Sequence, residues 1–432
     1  MLVAVLGLNL LIGAQIYFSS VQAAEKNNLY QLSELFMGVL EKIRKEYVDG
    51  DKVSYESLFH GALKGMVGTL DPHSEFMEAQ KYEDLKDDTE GAFGGVGIQI
   101  ELGPKDNVLT VVAPMEDTPA FRAGVLAGDK IVKIEGKSTE KMTLTDAIKK
   151  LRGEPGTGVN ITISRSTLPL PKDFTLTRAI IKVDTVKDLD GRRTFPLMSD
   201  GKIGYSRLSS FGEHTTAELQ DALKKLKSKG MEGLILDLRN NPGGLLDQAV
   251  KVCELFVPRG QLIVSTEGRG GQSKPLEYVA KGRDLYPSLP IVVLVNVGSA
   301  SASEIVAGCL QDVGRAFIMG EQTFGKGSVQ SIIPLQDGSA LRLTTAKYYT
   351  PSHKVIHGKG ITPDSIVLMS DEEEEALFLQ RIPGRLEMLD DARRSKILSV
   401  RDVQLDRAVD FLKGMLLFKN RGQDIRKLAG KR

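Results

Sequence analysis

Two short runs with almost no polar side chain constrain this chain more than any other feature: Gly233-Leu-Ile-Leu-Asp-Leu238 and Ile291-Val-Val-Leu-Val-Asn296. A strand that alternates apolar and polar residues buries one face, whereas a continuous apolar run buries both. Each run ends in a turn, Arg239-Asn-Asn-Pro-Gly-Gly244 in one case and Val297-Gly298-Ser299 in the other. A helical pattern follows each, near 245–256 and near 302–312. Repeated strand-turn-helix units predict an α/β core, here over 171–370. Within it, residues 328–335 and 339–348 read as a hairpin around Asp337-Gly338.

The core does not account for all 432 residues, and two or three folded units are expected. Residues 91–170 form a β-rich stretch with strands predicted at 98–102, 108–112 and 159–163 and a helix within 138–151. The proline-rich Thr167-Leu-Pro-Leu-Pro171 reads as a boundary or turn. Residues 25–90 are helical; Leu32, Leu35, Phe36, Val39, Leu40 and Ile43 have the spacing of one buried helical face. A second helix is expected over 54–69, closed by Leu70-Asp-Pro-His-Ser74. Residues 371–432 open on the acidic run Asp371–Glu375, read as a solvated face, and continue as a helical region. Residues 1–24 carry an apolar run ending in an A-x-A-like signal, so an export peptide or membrane anchor is expected, with an extracytoplasmic location.

Net charge is +1, which gives no whole-molecule attraction to nucleic acid. The two cysteines, Cys253 and Cys309, read as small buried hydrophobes, and no cluster has zinc-like spacing.

Reactive candidates gather in two segments of the core. Ser299, Ser301 and Ser303 stand where a strand turns into a helix, and each is also a natural helix cap. Lys326 follows 25 residues after Ser301 in the glycine-walled Gly325-Lys-Gly327. A serine with a lysine partner points to acyl transfer without a Ser-His-Asp triad, provided that the amine is held neutral. None of the five histidines lies in these motifs. Gly320-Glu-Gln-Thr-Phe-Gly-Lys326 begins like a phosphate loop, but Gly327 replaces the required Ser or Thr and a strand-like stretch follows, so nucleotide binding is rejected. The turn at Gly243-Gly244 can aim backbone N–H groups at an oxyanion. In the β-rich stretch, Gly94-Gly95-Val96-Gly97 entering the strand at Ile98 can hold a carboxylate, with Ile148 and Leu151 walling an apolar pocket.

The order Gly-Gly-Val-Gly97-Ile, Thr118-Pro-Ala-Phe-Arg-Ala-Gly124, Ala127-Gly-Asp-Lys-Ile131 and Leu151-Arg-Gly-Glu-Pro-Gly156 resembles a bacterial-type PDZ domain. Together with Tyr47-Val-Asp49, Leu238-Arg-Asn-Asn-Pro-Gly-Gly244, Ser299-Ala-Ser-Ala-Ser-Glu304, Gly325-Lys-Gly-Ser-Val-Gln330 and Gly358-Lys-Gly-Ile-Thr-Pro-Asp364, the chain resembles the carboxy-terminal processing proteases. The resemblance implies a ClpP/crotonase-like protease core with an inserted PDZ domain and helical N- and C-terminal segments. It implies Ser301 as nucleophile, Lys326 as general base and Gln330 as its orienter. It implies an oxyanion hole from Ala302 with Gly243 or Gly244, and Arg152 as a sensor of PDZ occupancy. Implied partners are protein substrates with accessible apolar C-terminal tails and an activating or adaptor protein; the terminal helices are candidates for a homodimer interface. No cofactor, metal or nucleotide is required. A non-catalytic PDZ adaptor is the main alternative, and a crotonase-type acyl-CoA enzyme a further one.

Overall fold

The computed structural model describes residues 29–429, apart from 104–107, 116–117, 127, 166–168, 199–200, 270–274, 283, 382–385 and 387–388. The expected export segment, 1–24, lies outside the described residues.

The chain divides into two compact units, and the first joins residues up to Gln80 with Ser331–Leu343. It holds helix α1 over 29–46, helix α2 (Tyr55–Gly68) and strand β1 (Glu75–Met77). Ser54 caps α2 by accepting the Ser57 N–H at 3.1 Å. The Leu70–Ser74 motif is a turn built on Asp71, whose carboxylate accepts His73 N, Ser74 N and Ser74 Oγ at 2.7–2.9 Å. The structure departs from the reading of α1 as a buried face. Leu40 is buried, but Leu32, Leu35, Phe36, Val39 and Ile43 are all exposed. Periodicity reports that one face is apolar; it does not say what covers it.

The second unit begins with helix α3 (Ala79–Glu90), which crosses into it, and strand β2 (Ala92–Gly95). The small β-domain follows: β3 (Ile98–Leu102), β4 (Leu109–Pro114), α4 (Pro119–Arg122), β5 (Lys130–Ile134), β6 (Lys137–Ser138), α5 (Leu144–Leu151), β7 (Gly158–Ser164) and β8 (Lys172–Thr177). Its sheet runs β3-β4-β5-β7-β8, with β6 beside β5. Because β8 pairs back on β7 from Gly158↔Thr177 to Ile163↔Lys172, this sheet continues past residue 170. Strand β9 (Ala179–Lys182) then pairs antiparallel with β2, making a two-stranded ribbon into and out of the domain.

The core sheet collects β10 (Val186–Lys187), β11 (Ile203–Leu208), β12 (Gly233–Asp237), β15 (Ile291–Val295), β16 (Phe317–Gly320) and β19 (Ser365–Ile366), in that order. All neighbours from β11 onward are parallel. Every residue of β12 and β15 is buried, as their continuous apolar runs require. One face packs on α6 (Thr215–Ser228), α7 (Leu246–Glu254) and α8 (Ala302–Asp312). The other face is covered by Leu405, Ala408, Leu412 and Leu416 of α11 (Val403–Ala429), which meet Tyr205, Ile235, Val292 and Leu294. Burial of each such side chain is worth roughly 1.5–3 kcal/mol, so α11 is an integral layer. Helices α9 (Asp371–Arg381) and α10 (Asp391–Leu398) precede it. Strands β13 (Leu262–Gly268) and β14 (Leu276–Val279) pair together, and β13 also pairs with the end of the hairpin β17 (Ser328–Pro334)–β18 (Ala340–Tyr349).

Candidate active site

In an open parallel sheet, the loops after the carboxyl ends of adjacent strands converge on one crevice. Strands β12, β15 and β16 are consecutive neighbours here. The loops leaving them carry, in turn, Gly243-Gly244, Ser301 and Lys326.

The loop after β15 separates its three serines. The Ser299 hydroxyl donates to Leu238 O at 2.8 Å and accepts Asn296 N at 3.0 Å. The Ser303 hydroxyl donates to Asn241 O at 2.9 Å. Both side chains are fully buried and bind the loop after β15 to the loop after β12. Ser301 is partly exposed, at the N-cap position of α8, with φ 55° and ψ −111°. A non-glycine residue at such φ stores about 1–3 kcal/mol of strain that the surroundings must offset. Its position also places it at the positive end of the α8 dipole.

The turn after β12 is equally constrained. Asn241 Oδ1 accepts the Gly243 N–H at 2.9 Å, and Asn241 Nδ2 donates to Leu208 O at 2.8 Å. Phe211 pairs alongside: its N–H donates to Gly243 O at 2.9 Å, and its carbonyl accepts Leu245 N at 2.8 Å. The Gly243 N–H is thus engaged, while no intramolecular acceptor takes those of Gly244 and Ala302 among the described residues. Gly243 has φ 104°, and a Cβ there would stand 2.8 Å from the Ser301 Cβ and 3.0 Å from Ala302 N. Only glycine lets the two turns approach this closely.

Glu304 links the serine turn to the lysine loop. Its buried carboxylate accepts Ser301 N at 2.8 Å and Lys326 N at 2.9 Å on one oxygen. The other oxygen accepts Thr323 Oγ1 at 2.5 Å and Gly325 N at 2.7 Å. Burial pushes the Glu304 carboxyl above its usual range, and these four donors act against that rise. The spacing Ser301-Ala-Ser-Glu304 is a capping-box pattern, the signal by which sequence reading could have found this residue.

Lys326 is partly buried. Its loop rests on the Gly358–Gly360 segment: Gly358 N donates to Gly325 O at 2.8 Å, and a Cβ on Gly327 would stand 2.1 Å from His357 N. Gln330, on β17, donates its amide to Ser328 Oγ at 3.1 Å and Thr344 Oγ1 at 2.7 Å. Its Oε1 is buried with no hydrogen-bond partner, an acceptor kept in reserve near the lysine loop.

In the small domain, β3 pairs only with β4 among the described residues, so it stands at the edge of the sheet, and α5 lies beside it. Ile98 and Ile100 of β3 are half-buried against the domain core, and Ile148 of α5 is exposed. Val96 and Leu151 belong to the domain's own core. Gly94 O accepts Gly153 N at 3.1 Å, joining the glycine loop to the end of α5. Arg152 stacks over Phe93 at 4.3 Å and stands 4.0 Å from Asp87 of α3. Sequence reading missed Arg178, which donates to Lys150 O at 2.7 Å, Leu151 O at 3.2 Å and Gly158 O at 2.7 Å. It caps α5 from the ribbon strand side.

Sequence comparison agrees with this architecture. Residues 202–367 match peptidase family S41, and residues 110–165 match a PDZ domain. The carboxy-terminal-processing protease of Bartonella bacilliformis is 47% identical over 355 residues, covering 81% of this chain and 78% of that protein. The carboxyl-terminal-processing protease of Synechocystis sp. is 36% identical over 389 residues, covering 90% and 84%. Among solved structures, a photosystem II D1 C-terminal processing protease is 31% identical, covering 82% of this chain and 98% of that one, with a TM-score of 0.44. These matches identify a serine-type peptidase with a PDZ domain. The chain belongs to the carboxy-terminal-processing protease family.

Proposed function

We propose that this protease captures protein C-terminal tails in its PDZ groove and cleaves the chain through a Ser301–Lys326 dyad. The supporting observation is the Glu304 bridge, which ties the backbone of Ser301 and of Lys326 to one buried carboxylate.

A tail adds to the open edge of β3 as an extra strand, its carboxylate at the Gly94–Gly97 loop and its apolar side chain against Ile148. At the core, Lys326 Nζ takes the Ser301 hydroxyl proton as Oγ attacks the peptide carbonyl. An amine does this only when neutral. Gln330 Oε1 accepts an Nζ–H and leaves the nitrogen lone pair toward Oγ. The Gly244 and Ala302 N–H groups receive the negative charge on the carbonyl oxygen. Lys326 then protonates the leaving amine, and water, activated by the same amine, releases the acyl group from Ser301.

Incubating the purified protein and its Ser301→Ala variant with an unfolded protein bearing an apolar C-terminus tests this. Cleavage is expected to vanish in the variant while tail binding persists. Equal cleavage by both would remove the nucleophile assignment. Tail binding without cleavage by the unaltered chain would favour a PDZ adaptor.

A further inference from the structure

The C-terminal region, which the sequence presents as a helical region opening on a solvated acidic run, touches the proposed catalytic turns at two places. The first is Arg239, the residue that enters the Asn240–Gly244 turn. Its guanidinium is almost entirely buried and filled on every side. Nε and Nη2 donate to Asp237 at 3.0 and 2.7 Å. Nη1 and Nη2 donate to the two oxygens of Asp402, each at 2.8 Å, and Nη1 also reaches Gln404 Oε1 at 3.1 Å. Asp402 immediately precedes α11, and Gln404 lies in its first turn. The second contact is Glu374 of α9, whose carboxylate accepts Asn296 Nδ2 at 3.0 Å. Asn296 Oδ1 in turn accepts the Asn240 N–H at 2.8 Å. One member of the acidic run is therefore committed to the site rather than simply solvated.

These contacts bear on a backbone that would not hold its shape alone. Asn240 has φ 56°, and Gly243 and Gly244 have φ 104° and 145°. Such a turn persists only when its flanks are fixed. Toward the core, the flank is fixed by Ser299, Ser303 and Asn241. Toward the C-terminal layer, the fixing groups are Asp402 and Gln404 acting on Arg239.

We propose that Asp402 is a positioning residue for catalysis: through Arg239 it holds the oxyanion turn in working geometry, making the C-terminal helical layer part of the catalytic apparatus. This rests on assigning the Gly244 N–H as an oxyanion donor. A bidentate Arg–carboxylate pair fixes direction as well as distance. Without Asp402, each buried Nη group loses one of its two acceptors, Nη1 keeping Gln404 and Nη2 keeping Asp237, and Arg239 can regain a second acceptor only by moving, which drags the first residue of the turn.

The test uses the full chain with Asp402→Asn, Asp402→Ala and Asp402→Glu. Three quantities are read: kcat and KM on a tailed peptide substrate, inhibition by a peptide aldehyde whose tetrahedral adduct needs the oxyanion donors, and amide hydrogen exchange between Asn240 and Leu245. For Asp402→Asn, the expectation is a roughly 10- to 100-fold fall in kcat with KM within about twofold. Aldehyde affinity should weaken in parallel, turn amides should exchange at least about tenfold faster, and Asp402→Glu should recover part of each loss. Turn exchange and aldehyde affinity unchanged in folded Asp402→Asn would overturn the proposal, as would a rate loss matched entirely by loss of folded protein. Should the unaltered chain cleave nothing, the dyad reading fails, and the exchange measurement still decides whether Asp402 holds the turn. Should Asp402→Ala not fold, the near-isosteric Asn variant carries the test.

Discussion

Replacing Glu304 with glutamine is the sharpest perturbation of the proposed dyad, because it exchanges one heavy atom and leaves the space filled. The carboxylate accepts four hydrogen bonds, two on each oxygen. A glutamine must put an NH2 in place of one oxygen. Pointed at Ser301 N and Lys326 N, the NH2 faces two donors and no acceptor. Pointed the other way, it meets Thr323 Oγ1, which already accepts Ile361 N and can turn to accept the NH2 as well, giving up its own acceptor, while Gly325 N loses its partner. The second orientation is therefore expected. Its main cost is one buried unsatisfied N–H, about 1–3 kcal/mol. The two remaining backbone bonds also lose their charge assistance, about 1 kcal/mol each. Some 3–5 kcal/mol of anchoring between the serine and lysine loops is lost in this way. If most of that is felt when the dyad must be aligned, kcat falls about 100-fold, at about 1.4 kcal/mol per tenfold. Tail binding, which the proposed function assigns to β3 and α5, should be unchanged. Steady-state kinetics on a tailed peptide, with tail affinity measured separately, checks this. Retention of more than about a third of kcat, or a loss confined to KM, would refute the reasoning.

Three further outcomes follow from the same geometry. Gly243→Ala puts a methyl 2.8 Å from Ala300 O and the Ser301 Cβ, so peptide turnover should drop by more than about 100-fold while tail affinity is preserved. Arg178→Ala removes the cap from α5 and should destabilise the small domain by about 1.5–3 kcal/mol, seen as a lowered melting temperature and weaker tail binding in calorimetry. Burial alone would raise the Asp312 carboxyl, but hydrogen bonds from Lys354, Ser352 and Thr350 outweigh it and bring it down to about 2. Its folded value is depressed, so its stabilisation is present above the unfolded value near 4 and is lost as pH falls toward 2. Asp312→Asn should flatten the melting-temperature profile across that window; an unchanged acid slope would count against the assignment.

Much of the fold was legible because it depends on local pattern. The apolar runs at 233–238 and 291–296 could only be strands covered on both faces, and the Asp337-Gly338 turn could only close a hairpin, with Asp337 accepting Ser339 N at 3.0 Å. The apolar stripe of α1 was equally visible, yet its exposure was not, because a stripe specifies chemistry and not a neighbour. That the small domain's sheet continues past its prolines was not visible either, since strand pairing between residues 158–164 and 172–177 is a non-local property.

The sequence by itself determined which residues had the chemistry: a serine at a helix start, a lysine between glycines, a glycine turn and a glycine-rich loop before a strand. Only the tertiary structure separated Ser301 from two neighbours of identical type, by burying the hydroxyls of Ser299 and Ser303 in bonds to the loop after β12. It alone engaged Gly243 N and left Gly244 N open, and it alone joined Glu304, Arg239 and Asp402 to the turns they brace. Asp402 lies 163 residues from Arg239 in the chain, a separation across which no periodicity or spacing carries information. Hydrogen bonds of that kind arise from where the sheet and its two helical layers bring side chains together, and so they are decided only when the chain is packed.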